Sequence, residues 1–78
     1  MWYLYILRLS DDSLYTGITK DIKRRLEQHR AGKGSKYVRS RLPCELIYME
    51  KLEDKSKALK REAEIKGWSK DKKEELVS

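Results

Sequence analysis

The sequence predicts a small α/β domain: a three-stranded, mainly antiparallel sheet flanked by three helices. Three observations carry this expectation. The runs Trp2-Tyr3-Leu4-Tyr5-Ile6-Leu7 and Leu14-Tyr15-Thr16-Gly17-Ile18-Thr19, rich in aromatic and branched residues, flank the polar cluster Ser10-Asp11-Asp12-Ser13 and read as a β-hairpin. A third run, Glu45-Leu46-Ile47-Tyr48-Met49-Glu50, reads as another strand. Segments with helical spacing follow capping residues over about 21–31, 55–66 and 70–77. A length of 78 residues fits one domain over 1–78, near the lower limit at which a single core is self-sufficient.

In the hairpin, alternation puts Tyr3, Tyr5 and Leu7 on one face of the first strand and Tyr15, Gly17 and Thr19 on one face of the second. The phenols can therefore meet around a strand glycine, a place where something approaches the backbone closely. Tyrosine is also an ordinary strand residue. In the first helix Thr19 or Asp21 is the cap, Ile22, Leu26 and His29 form the inward stripe, and Gly32 is the stop. Arg25 lies one turn before His29, at the edge of that stripe.

Residues 31–43 read as a basic loop containing Lys36, Tyr37, Arg39 and Arg41. Such a loop suits phosphate contacts with one stacking ring, and equally a solvated connector. In the third strand Leu46, Tyr48 and Glu50 share one face, Ile47 and Met49 the other, and Pro43 fits only at its entrance. Asp54 or Ser56 caps the second helix and Gly67 ends it; Ala58, Leu59, Glu62 and Ile65 form its stripe. A carboxylate in an apolar line must be paired, protonated or bound to a cation, and Lys66, one turn on, is an available partner for Glu62. Ser69 caps the last helix, with Trp68 and Leu76 as its core contacts.

Lys and Arg total 19 against 13 Asp and Glu, a formal charge of +6. That excess fits a polyanionic partner, although surface charge also keeps small proteins soluble. The single cysteine, Cys44, has no disulfide partner in the chain, and Cys and His show no zinc spacing. With no leader pattern and no apolar run of membrane-spanning length, the expectation is a soluble cytoplasmic protein with no membrane association.

In chain order these signals are tyrosines on a hairpin, an Arg and a His on the next helix, and an isolated Glu on a later one. Phosphodiester hydrolysis calls for that inventory: a proton acceptor, a cation for the phosphoryl oxygens, and a carboxylate able to hold a divalent ion. The chain here resembles the GIY-YIG nuclease superfamily, and more closely its small stand-alone members. Tyr3-Leu4-Tyr5 stands at the first motif, Tyr15-Thr16-Gly17 at the second, Arg25 ten residues beyond the second-motif tyrosine, His29 four further on, and Glu62 in Ala58-Leu59-Lys60-Arg61-Glu62 at the metal-binding position.

The resemblance implies a metal-dependent DNA endonuclease, structure-selective and repair-associated. Tyr5 and Tyr15 would lie beside the scissile phosphate, Arg25 would hold it, His29 would contact it or assist the proton relay, and Glu62 would coordinate one Mg²⁺ or Mn²⁺. Gly17 would leave the strand open where nucleic acid approaches. Lys36, Tyr37, Arg39 and Arg41 would supply further contacts to it, and a protein partner would supply specificity. The chain departs from the family pattern at three places. Tyr3 replaces the first glycine, Ile18 stands where excision-repair relatives carry lysine, and no asparagine occurs near the end. The alternatives are a non-catalytic nucleic-acid-binding module of the same fold and a protein-interaction domain.

Overall fold

The computed structural model describes residues 1–78. The chain forms three strands, β1 (Trp2–Leu9), β2 (Leu14–Thr19) and β3 (Cys44–Leu52), and four helices: α1 (Ile22–Arg30) and α2 (Lys36–Arg39) between β2 and β3, then α3 (Lys55–Lys66) and α4 (Lys70–Val77) after β3. The sheet order is β2-β1-β3, antiparallel throughout, so the first hairpin strand is central. That position explains its sequence. Leu4, Tyr5, Ile6 and Leu7 form an unbroken buried run because helices cover both faces of the sheet there.

One core layer joins Tyr5, Leu7, Leu9, Val38 and Cys44, with Ile22, Leu26 and Leu46 packed against it. The other joins Leu4, Ile6 and Ile65, with Ile47, Tyr48, Trp68 and Leu76. The expected contacts of Trp68 and Leu76 therefore lie in this second layer. The hairpin turn is held by the Asp11 carboxylate, which accepts from the Ser13 amide and hydroxyl at 3.1 and 2.5 Å. Asp12 takes a left-handed φ of 68° in it, which a short polar residue tolerates.

Asp21, Asp54 and Ser69 cap α1, α3 and α4, each accepting the backbone N–H three residues on. Gly32, at a φ of 78°, follows the end of α1 in the left-handed conformation open to glycine. Bidentate contacts from Arg8 to Glu74, at 2.6 and 2.9 Å, tie α4 to the sheet. Arg61 ties α3 to β3 through Glu50 at 2.8 Å.

Three expectations need correction. Residues 31–43 are not all loop: Lys36–Arg39 form one helical turn that drives Val38 into the core. The face assignment in β3 fails at a β-bulge. Ile6 opposes Tyr48 while Leu7 opposes Leu46, so Ile47 is the extra residue. Leu46 consequently packs with Leu7 in one layer, and Tyr48 with Ile6 in the other. Leu59 is 46 % exposed and leaves the α3 stripe, whose buried line runs through Ala58 and Ile65 with Glu62 between them.

Candidate active site

Strand register sets the first half of the site. Tyr5 lies directly opposite Gly17, and Leu7 opposite Tyr15, so the two phenols project from the same face of adjacent strands with ring centroids 6.5 Å apart. A Cβ on Gly17 would come within 2.6 Å of the Tyr5 hydroxyl oxygen. The space above Gly17 is thus filled by the chain's own tyrosine, a different task from admitting nucleic acid.

α1 supplies the second half. His29 lies on the inward face of its last turn, 1 % exposed, and its Nε2 is 2.8 Å from the Tyr5 hydroxyl. Its ring also meets the edge of Tyr15 at 5.4 Å. Burial, and then the Arg25 cation, hold the imidazole below its ordinary value of 6.5. Burial, then Tyr15, push the Tyr5 phenol up to about 12; Glu62 adds to that and Arg25 opposes it. At neutral pH the pair is therefore a protonated phenol hydrogen-bonded to a neutral imidazole, whose other ring nitrogen is Nδ1. That nitrogen is buried without a partner.

Gly34 explains how Nδ1 is enclosed. A Cβ there would fall 2.4 Å from Nδ1 and 2.7 Å from Cε1, so only a glycine lets this loop close over the imidazole. Gly34 lies in the stretch 31–43 that reads as a basic loop, and no local signal carries this contact, because the partner ring belongs to another element.

Arg25 is half-buried. Its Nε donates to Gln28 Oε1 at 3.1 Å, and no carboxylate pairs with it. Arg25 also borders a small apolar recess formed by Tyr5, Leu7, Ile22, Leu26 and Leu46. Glu62 lies close enough to influence Tyr5, with its side chain 20 % exposed and Lys66 Nζ at 3.3 Å. No three His, Cys, Asp or Glu side chains gather as a metal cluster. A lone carboxylate fits Mg²⁺ or Mn²⁺ only in the manner of an ion that keeps most of its waters and takes other ligands from substrate phosphate.

Tyr5, Tyr15, Arg25, His29 and Glu62 are thus brought together. Tyr5 and His29 are closed off, and Tyr15, Arg25 and Glu62 remain accessible. The loop residues divide. Tyr37 stacks against Tyr15 at 6.3 Å and carries the Arg41 guanidinium 3.8 Å over its ring, so it is not a free platform. Arg41 is itself paired with Asp11 at 3.0 Å. Lys36 and Arg39 are unpaired and line, with Lys33 and Gly34, an open recess of about 410 Å³.

Residues 1–75 match the family model described as the GIY-YIG catalytic domain. Among curated relatives, a UPF0213 protein of Staphylococcus saprophyticus is 50 % identical over 97 % of this chain and 93 % of its own length. One from Haloquadratum walsbyi is 49 % identical over 96 % and 84 % respectively. The solution NMR structure of a UPF0213 protein from Bacillus halodurans is 45 % identical, covers 99 % of this chain and 83 % of that one, and superimposes with a TM-score of 0.64.

Proposed function

This chain belongs to the GIY-YIG superfamily, within its UPF0213 family, and from that premise we propose that it binds nucleic acid, DNA in particular, across the surface of residues 20–41. Charge segregation carries the proposal. Residues 20–41 hold nine Lys and Arg against two acids, whereas the rest of the chain holds ten against eleven. Of those nine only Arg41 is in an ion pair; the other paired cations, Arg8, Lys57, Arg61, Lys66 and Lys70, all lie outside the segment. Unpaired cations on one contiguous segment are what phosphate binding with counterion release requires.

A second reading, that the bound strand is also cut, is favoured by the Tyr5–His29 hydrogen bond beside Arg25. Arg25 would take the phosphoryl oxygens and offset the charge that builds on them. Tyr15, the accessible phenol, would contact the phosphate and orient the attacking water. Tyr5 and His29 form a relay behind it: a proton arriving at the phenol oxygen is matched by one leaving for Nε2, which the neutral imidazole can accept. Glu62 would hold Mg²⁺ or Mn²⁺, and a bound ion would stabilise charge on the phosphoryl and leaving oxygens. Specificity would come from a partner protein or from strand structure.

Labelled single-stranded, duplex, flap and branched DNAs incubated with Mg²⁺ or Mn²⁺ separate the readings. Cleavage that chelator, Arg25→Ala and Glu62→Ala all abolish supports the nuclease. Binding without cleavage under either metal, with affinity intact in Glu62→Ala, leaves the binding module. Binding that ignores ionic strength would defeat both and favour a protein-docking role.

A further inference from the structure

Beside Arg25 an open cleft of about 360 Å³ lies between the start of β1, the end of β2 and the first turns of α1. That volume lies within the range of about 300–1,000 Å³ typical of small-ligand sites. Its only apolar wall is Trp2; Lys20, Arg24 and Arg25 supply cations, and Thr19 and Gln28 complete the lining. The Asp21 carboxylate also faces the cleft, but it is committed to the Arg24 amide as the helix cap at 3.1 Å. The Trp2 ring has Lys20 Nζ at 5.6 Å and Lys55 Nζ at 5.5 Å from its centroid, and neither lysine has an ion-pair partner. Arg41 over Tyr37 is anchored by its ion pair, whereas the two lysines over Trp2 have no such anchor and can leave the ring for a phosphate; an indole lining the same cleft as Arg25 between such cations has the composition of a base platform with phosphate contacts on its rim.

We propose that this cleft is a nucleotide subsite in which Trp2 stacks on an unpaired base next to the phosphate held by Arg25, with Lys20 and Arg24 on the adjoining backbone. This rests on the nucleic-acid reading above and names the substrate class for the site: strands with single-stranded character, such as flaps and ends. Inside a duplex both faces of each base are already covered, and extruding one costs a few kcal/mol. The cleft therefore discriminates against continuous duplex without reading sequence.

The test compares a thymidine oligonucleotide, an abasic oligonucleotide of the same length and phosphate count, and a blunt duplex, by anisotropy at low salt. Trp2→Leu, which keeps apolar volume without the indole, should weaken binding of the thymidine strand about 5- to 100-fold while leaving the abasic strand and the duplex unchanged. Trp2→Phe should recover most of the loss. In a Trp68→Phe background, the thymidine strand should quench Trp2 emission and the abasic strand should not. Equal affinity of wild type and Trp2→Leu for the thymidine strand, or equal losses on all three ligands, overturns the subsite while the basic surface stands. Wild type that binds none of the three overturns the nucleic-acid reading itself.

Discussion

Burial keeps the His29 imidazole neutral and the Tyr5 phenol protonated, and each is the other's hydrogen-bond partner. The folded chain binds the His29 proton less readily than the unfolded chain does. Its contribution to stability is therefore complete above the ordinary imidazole value of about 6.5 and is lost as pH falls through the depressed folded value. Urea midpoints should decline as pH falls below the ordinary imidazole value of about 6.5, and His29→Gln should abolish that decline. The Asp11, Asp12 and Glu74 carboxyls, lowered by their hydrogen-bond partners, act only in more acidic solution. A wild-type profile that stays flat as pH falls below about 6.5 would refute the buried neutral imidazole. Glycines give a second residue-scale prediction. Gly17→Ala and Gly34→Ala press a Cβ into the buried Tyr5 and His29 rings and should each cost about 1–3 kcal/mol by denaturant unfolding. Gly67→Ala, whose Cβ meets neighbours at 3.5 Å and beyond at a φ of −80°, should be neutral or stabilising by up to about 1 kcal/mol.

At the scale of elements, the helices expected at about 55–66 and 70–77 are found there, because capping residues act within a turn of the ends they mark; of the two caps open for the first, Asp54 and Ser56, the structure uses Asp54. α2 was not, since a helix of four residues is too short to show a period, and only the burial of Val38 reveals what it does. The bulge at Ile47 was equally hidden: alternation read along one strand cannot reveal that the partner strand skips a residue. Beyond that bulge, Glu50 accepts from Tyr48 at 2.9 Å and from Arg61 at 2.8 Å, which fixes α3 against β3 and with it the height of Glu62 over the site. Arg61→Ala leaves a largely covered carboxylate short of its cation and should cost about 1–2 kcal/mol in unfolding free energy. Cleavage or binding measured on that variant should fall further than on Lys57→Ala, which breaks only an exposed pair.

Across the whole molecule, charge is unevenly spread: ion pairs brace the hairpin turn and α3–α4, where half of the ten cations outside residues 20–41 are paired, whereas eight of the nine cations on α1 and the loop beyond it have no partner. Affinity for single-stranded DNA should therefore fall steeply with salt, and Lys33→Gln and Lys36→Gln should each reduce the slope of log K against log salt by about 0.7. Lys57→Gln, outside the segment, should leave the slope unchanged. No helix is long and apolar enough to cross a membrane. The chain's one-dimensional order already determined the hairpin, three of the helices with their caps, the excess of cations and the residues that mark the family, because periodicity, capping and composition act over a few neighbouring positions. Only the tertiary structure decided that Tyr5 meets His29 from 24 residues away, that Gly34 closes over that ring, that Arg41 covers Tyr37, and that Trp2 borders a cleft beside Arg25. Those meetings depend on how close-packed layers settle against one another, and no local pattern encodes them.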